Sequence, residues 1–305
     1  MQSQAGKTAI VTGTGGLGFE VALALSRAEA TVILAGRDEH KGKTALREIR
    51  THVRSANLAF AQVDLADLSS VALFADRLLR QGVVPHILVN NAGIMSPPVR
   101  KTTQDGFEMQ FGVNYLGHFA MTLRLLPALA RAGGARVVNV TSLAHHPGRI
   151  GFDDLQGERT YKPGLAYCQS KLAQAIFARE LQRRCSESAL DIVSVAAHPG
   201  FAKTSIFENS SGAGSLVTII SKFMVGPILG HSAASGALSL LYGATDPAVV
   251  KGALYGPTGL FGMKGPPGVS AYASHALDTD VAARLWVESE KMTGLEFRQI
   301  AESII

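Results

Sequence analysis

Tyr167 and Lys171 stand four residues apart in the run "LAYCQSKLAQAIFARELQRR". Apolar residues recur there at helical spacing: Leu172 pairs with Ile176, and Ala173 with Phe177 and Leu181, so the run reads as a helix. Side chains four apart leave the same face of a helix, which brings an ammonium near a phenol. A free phenol has a pKa near 10, and using it as an acid or base at neutral pH means lowering that value by roughly 3 units, or about 4 kcal/mol. A neighbouring ammonium and the positive charge of an oxidised nicotinamide both favour the phenolate, so the pair suits hydride chemistry. By itself the spacing also fits a solvated helix face.

Two further polar residues give the pair company. Ser142 closes the apolar run "VVNVTS", where its hydroxyl could hold a carbonyl oxygen near the phenol. Asn114 is a polar residue in "FGVNYLGHF", an otherwise apolar helical pattern, and could bind an ordered water behind Lys171. An amide that bends a helix and bonds to backbone is the plainer role for Asn114, and the two are compatible.

The elements that must position these residues are short β-rich runs alternating with helical patterns, which is the sign of βαβ units and a parallel sheet. Strands are expected at 7–13, 31–36, 57–64, 86–93, 135–142, 191–200 and 252–257. The fold expected is α/β, a doubly wound, mainly seven-stranded parallel sheet in a single domain over 1–305. Its cofactor-binding half covers about 1–142, and its catalytic and substrate half about 143–305. Ligands of such sheets bind at the carboxyl ends of the strands. Three segments break the rhythm, 143–164, 201–230 and 257–275, and all follow a strand end, so they should wall a substrate pocket.

At the end of the first strand "AIVTGTGGLGFEVALAL" carries Gly13, Gly15 and Gly18 in G-x-G-x-x-G spacing, with Gly16 and Leu17 between them. Gly13 permits the tight turn, Gly15 lets backbone amides approach a pyrophosphate, and Gly18 lets the helix pack closely. The second strand ends in "VILAGRD", where an NAD site usually places an acid against the ribose hydroxyl; here Gly36 is followed by Arg37. A guanidinium there can pair with a 2′-phosphate, which favours NADP(H) over NAD(H). Alternatively Arg37 is solvated or paired with the adjacent Asp38. Asp64, followed by Leu65, closes the third strand and could accept from an adenine amino group. "NNAG", from Asn90, offers small groups against which a cofactor could lie, or merely turn residues that end a strand.

Taken together, these residues resemble the short-chain dehydrogenase/reductase family over the whole length. The resemblance rests on the loop at 12–18, "NNAG" at 90–93, Asn114, Ser142, "YCQSK" at 167–171 and "HPGFAKT" at 198–204. It implies a catalytic tetrad of Asn114, Ser142, Tyr167 and Lys171, with Tyr167 and Lys171 also at the cofactor and Lys171 on the nicotinamide ribose. It also implies nicotinamide-side contacts from Pro199, Gly200 and Thr204, and a homodimer or homotetramer built on the helices carrying Asn114 and Tyr167. Within the family the chain is most similar to the retinol dehydrogenase and protochlorophyllide reductase-like branch. "AGRDEHKGKTALREI", "VNYLGHF", "TSLAHHPGRIGFDDLQGERTYKPGLAYCQSKLA" and "DVAARLWVESEKMTG" carry that similarity, including a 25-residue interval from Ser142 to Tyr167. Under this reading His145 and His146 are loop residues near the pocket mouth. The chain departs from the family in a glycine loop one residue short of T-G-x-x-x-G-x-G and in lacking a basic residue there.

The leading expectation is an NADP(H)-dependent enzyme interconverting a carbonyl and an alcohol on a fairly apolar substrate, with Tyr167 as acid/base. Reduction of a carbon–carbon double bond and a non-catalytic NADP-binding redox sensor are the alternatives. Composition narrows the rest. A formal charge of +5 without a long basic run speaks for scattered solvated charge rather than nucleic acid. Two cysteines, Cys168 and Cys185, form no disulfide framework, and adjacent His145 and His146 lack metal-ligand spacing, so no metal and a cytoplasmic location are expected. The N-terminus reaches a strand too soon for a cleaved leader. The apolar stretch at 215–230 is too short to span a bilayer and holds Lys222, so it reads as a lid, with peripheral membrane contact as the alternative.

Overall fold

The structure, a computed structural model, describes residues 1–201 and 231–304. The apolar stretch at 215–230 and Thr204 lie outside the described residues.

Eight strands form one sheet in the order β3-β2-β1-β4-β5-β6-β7-β8. They are β1 (Thr8–Thr12), β2 (Thr31–Gly36), β3 (Leu58–Gln62), β4 (Ile87–Asn90), β5 (Ala135–Val140), β6 (Ile192–Ala197), β7 (Leu254–Pro257) and β8 (Pro267–Ser270). The first seven pair in parallel, and β8 adds an antiparallel edge on β7. The seven expected strands are therefore present, β2 with the expected bounds and the others shortened at one or both ends. β8 was expected only as part of a pocket wall, because "PGVS" has neither alternation nor β-branched density and pairs only through its partner strand.

Strands β1, β4, β5 and β6 are buried almost throughout, since helices cover both faces. One layer holds α1 (Leu17–Arg27), α2 (Glu39–His52) and α6 (Ala233–Thr245); the other holds α3 (Leu68–Arg80), α4 (Gly117–Arg131) and α5 (Pro163–Glu187). The strand order reverses between β1 and β4, which opens a crevice at their carboxyl ends. Registers bring Thr12, Asn90, Val140 and Ala197 to the same rim: β4 pairs Asn90 with Asn139, and β5 pairs Val140 with Ala197. The residues that follow, Gly13, Asn91, Ser142 and His198, thus gather on one edge of the sheet.

The last two helices, α7 (Thr279–Thr293) and α8 (Phe297–Glu302), lie over α4 and α5. Trp286 meets the rings of Phe119, Phe177 and Phe297 at 5.1, 5.8 and 5.7 Å between centroids. The Tyr115 and Ser289 hydroxyls bond at 2.7 Å beneath them. The chain's own C-terminal helices thus pack on part of α4 and α5.

Candidate active site

α5 begins at Pro163, whose ring suits the first helical position, and carries Tyr167 in its second turn and Lys171 one turn later. Ser142 follows β5 and caps a short turn of 3-10 helix, its Oγ accepting from the Ala144 amide at 3.2 Å. The Ser142 hydroxyl stands close enough to the Tyr167 phenol to favour its ionised form. Thr141 fixes the crossing of β5 and α5, donating from Oγ1 to the Lys171 carbonyl at 2.7 Å. The Lys171 ammonium lies 5.8 Å from the centre of the Tyr167 ring and donates to the Val140 carbonyl (3.0 Å) and Gln174 Oε1 (2.8 Å).

Burial decides the protonation of both groups. It pushes the Tyr167 phenol up to about 12, against the pull of Ser142, and it drops the Lys171 ammonium to about 7. The expected lowering of the phenol is therefore not a property of the chain alone. Desolvation outweighs a partly discharged ammonium, and the chain holds Tyr167 as the neutral acid.

Asn114 lies in a turn of π-helix, Phe111–Leu116, rather than in the regular helix its surroundings suggested. Its amide is fully engaged: Oδ1 accepts from the Ile94 amide (2.8 Å), while Nδ2 donates to the Ile94 carbonyl (3.0 Å) and Ser170 Oγ (2.9 Å). The side chain thus ties the segment after β4 to α5 one residue before Lys171. Its backbone carbonyl bonds to His118 Nδ1 at 2.9 Å.

At the other end of the crevice, the glycine loop makes the strand–turn–helix connection despite its missing residue. Gly13 takes a positive φ of 93°, and a β-carbon there would sit 2.8 Å from Asn91 Nδ2. A β-carbon on Gly18 would collide with the Gly13 carbonyl, so the third glycine serves close packing. A β-carbon on Gly15 would meet nothing within 4 Å. α1 starts after Gly16 with no side-chain cap, while α2, α3, α6 and α7 are capped by Asp38, Asp67, Ser232 and Asp278. An open turn beneath uncapped amides is what a pyrophosphate needs, so the loop fits a dinucleotide. Leu17 is buried in the helix layer behind it.

Asp38 is committed to the cap of α2, accepting from the Lys41 amide at 2.9 Å, and forms no ion pair with Arg37. Among the described residues no acid pairs with Arg37. It lines a cavity of about 280 Å³ with Gln62, Asp64 and a second guanidinium, Arg77, which reaches from α3 to the Gln62 carbonyl at 3.2 Å. Asp64 turns one carboxylate oxygen to the Ala66 amide (2.9 Å). Two expected cofactor contacts turn inward. Asn90 is fully buried and donates to Thr122 and Asn139, both at 2.9 Å, and Leu65 packs against Gly117. It is Asn91, bonded to the Thr12 carbonyl at 2.7 Å, that abuts the loop. Beyond β6, Gly200 sits at φ 68° and the Pro199 carbonyl meets His231 Nε2 at 2.7 Å, so this turn faces the same rim.

The short chain dehydrogenase family profile matches residues 7–213. The chain belongs to that family. Human retinol dehydrogenase 13 is 40% identical over 97% of this chain and 87% of its own length, and mouse polyprenol dehydrogenase 39% identical over 95% and 85%. Among solved structures, an uncharacterised protein from Mycobacterium Paratuberculosis is 39% identical, covers 97% of both chains and superposes with a TM-score of 0.80. These likenesses place the chain in the retinol dehydrogenase branch of short chain oxidoreductases.

Sequence reasoning missed several residues that frame this site. Thr12 Oγ1 accepts from the Asn91 and Ala92 amides (2.8 and 2.9 Å) and meets His118 Nε2 at 2.9 Å. The Asn114 carbonyl can only accept, so His118 donates from Nδ1 and its Nε2 is left to accept from the Thr12 hydroxyl, which also lies 3.3 Å from the Val89 carbonyl. Burial holds His118 near 4, hence neutral. His145 is fully buried rather than a mouth residue. Leu260 and Phe261, exposed in the turn beside Leu143 and His198, bring apolar surface to this rim.

Proposed function

We propose that this short chain oxidoreductase is NADP(H)-dependent and interconverts a carbonyl and an alcohol on an apolar substrate. The observation that carries the reading is the gathering of Ser142, Tyr167 and Lys171 at one strand end, on the rim where the glycine loop opens. Bound across the strand ends, the nicotinamide cofactor supplies or accepts the hydride. In the reducing direction Tyr167, held neutral, donates its proton to the substrate oxygen, and Ser142 Oγ orients that oxygen. Lys171, whose ammonium lies 5.8 Å from the centre of the phenol ring, stabilises the phenolate as it forms. Asn114 keeps α5 and the Ile94 segment in register behind the pair.

NADP(H) is favoured over NAD(H) by Arg37, which has no acidic partner, and by Arg77 in the same cavity. An apolar substrate is favoured by Leu260 and Phe261 at the turn after β7, the latter 81% exposed. Relatives named for retinol and polyprenol point the same way. The test is NADPH oxidation with a panel of long-chain aldehydes, ketones, quinones and enones, followed by product analysis. Alcohol formation from aldehydes or ketones is expected. Saturation of an alkene with the carbonyl intact, or tight NADPH binding without turnover on any member, would overturn it.

A further inference from the structure

Two histidines, His145 and His198, are fully buried beside the reacting residues, and each is bonded at both ring nitrogens. The Ala273 amide points at His145 Nε2 (3.3 Å), and Nδ1 lies 2.6 Å from the Ser142 carbonyl. An amide can only donate, so Nε2 carries the lone pair and Nδ1–H donates to Ser142. His198 has the opposite tautomer: the Gly200 amide donates to Nδ1 (3.2 Å), and Nε2 faces Ser270 Oγ at 3.1 Å. Both rings therefore join active-site backbone to one strap, the chain from β8 to Ala276. His275 Nε2 lies 2.8 Å from both the His146 carbonyl and Arg149 Nη1, and the His146 ring packs 4.1 Å from that of His145. Gly256 clears the room, since a β-carbon there would overlap the His198 ring.

We propose that His145 is a positioning residue for Ser142, holding its backbone against this strap so that the hydroxyl stays aimed at Tyr167, while His198 does the same for Pro199 and Gly200. The role rests on the oxidoreductase reading above. Ser142 sits at a strand end followed by a single turn of 3-10 helix, so its carbonyl is the handle through which the strap can set its side chain. A catalytic hydroxyl misplaced by about 1 Å loses on the order of a hundredfold in rate.

The experiment compares the full-length wild type with His145→Ala, His145→Asn and His145→Gln. It reads kcat and KM with NADPH and the best carbonyl of the panel, NADPH affinity by titration, and melting temperature. Asparagine can return an N–H near the Nδ1 position, whereas glutamine reaches only the Nε2 side. The expected result is a roughly 10- to 100-fold loss of kcat in His145→Ala, with NADPH affinity unchanged. The asparagine variant should recover most of that loss and glutamine little, although the two melt alike. Equal kcat in all three variants, or kcat that merely follows melting temperature, overturns the role. Nitrogen-15 shifts of the wild-type rings give a readout without turnover: Nδ1–H at His145 and Nε2–H at His198 are expected, and the reverse at His145 removes the link to Ser142. A wild type inactive on every carbonyl sinks the oxidoreductase reading and this role with it; an active wild type with an unimpaired His145→Ala sinks this role alone.

Discussion

Around Tyr167 the neighbouring polar groups already have partners inside the chain: Ala144 on Ser142, Val140 and Gln174 on Lys171, Ile94 and Ser170 on Asn114. Around the glycine loop the reverse holds. α1 begins without a cap, Gly15 faces open space, and Arg37 and Arg77 line a cavity with no acid paired to Arg37. The difference follows from what each end must do. Groups that move a proton are worth most when fixed before the substrate arrives, because no reorganisation is then left to the reaction. Groups that hold phosphates are best left short of partners, since the ligand completes them.

Lowering the pH should break this contrast at the chemical end first. Burial holds His118, His145 and His198 near 4, against an ordinary 6.5. The folded chain keeps all three neutral while the unfolded chain takes up protons, so stability is fully present above 6.5 and is lost as pH falls towards 4. Each contributes about 3 kcal/mol at most. Denaturant midpoints from pH 7 down to 4 should fall steeply, and His198→Gln should remove about one proton from that slope; a flat profile would show that the rings are not held neutral.

Removing the Ser142 hydroxyl comes next. Ser142→Ala should cost about 100- to 1,000-fold in kcat, with NADPH affinity unchanged, because the residue belongs to the preassembled end. A variant that loses cofactor affinity as much as rate would show that the two ends are not separable. Arg37→Ala should give the smaller effect, roughly 10-fold weaker binding of 2′,5′-ADP with 5′-ADP unaffected, as fits a charged hydrogen bond in partly open water. Equal weakening of both nucleotides would remove Arg37 from the 2′-phosphate.

The same contrast explains what the sequence disclosed. The glycine loop, Tyr167 with Lys171, and Ser142 were legible because each is a local pattern: a turn between strand and helix, a four-residue interval, a strand end. What framed them was not, because the partners are remote: His118 lies 106 residues from Thr12, and Ala273 lies 128 from His145. Nothing in "LAHH" distinguishes a buried ring from a loop residue until Ala273 is brought beside it. Asn90 and Asn91 look interchangeable in "NNAG", yet the strand's alternation sends the first into the core and leaves the second at the loop. β8 and the covering of α4 and α5 by Trp286 likewise arise only from tertiary pairing. The phenol's raised pKa in the chain without cofactor was not legible either, because spacing reports the ammonium and not the burial of both groups.

The central claim is that Tyr167 transfers the proton while the opposite end of the crevice holds the cofactor. Tyr167→Phe tests it most directly, with NADPH oxidation and NADPH binding measured on the same preparation. Turnover should fall by on the order of 1,000-fold or more, with the dissociation constant within about twofold of wild type, since the loop and Arg37 are untouched. Turnover at the wild-type rate, or a loss of binding that accounts for the loss of turnover, would contradict the account.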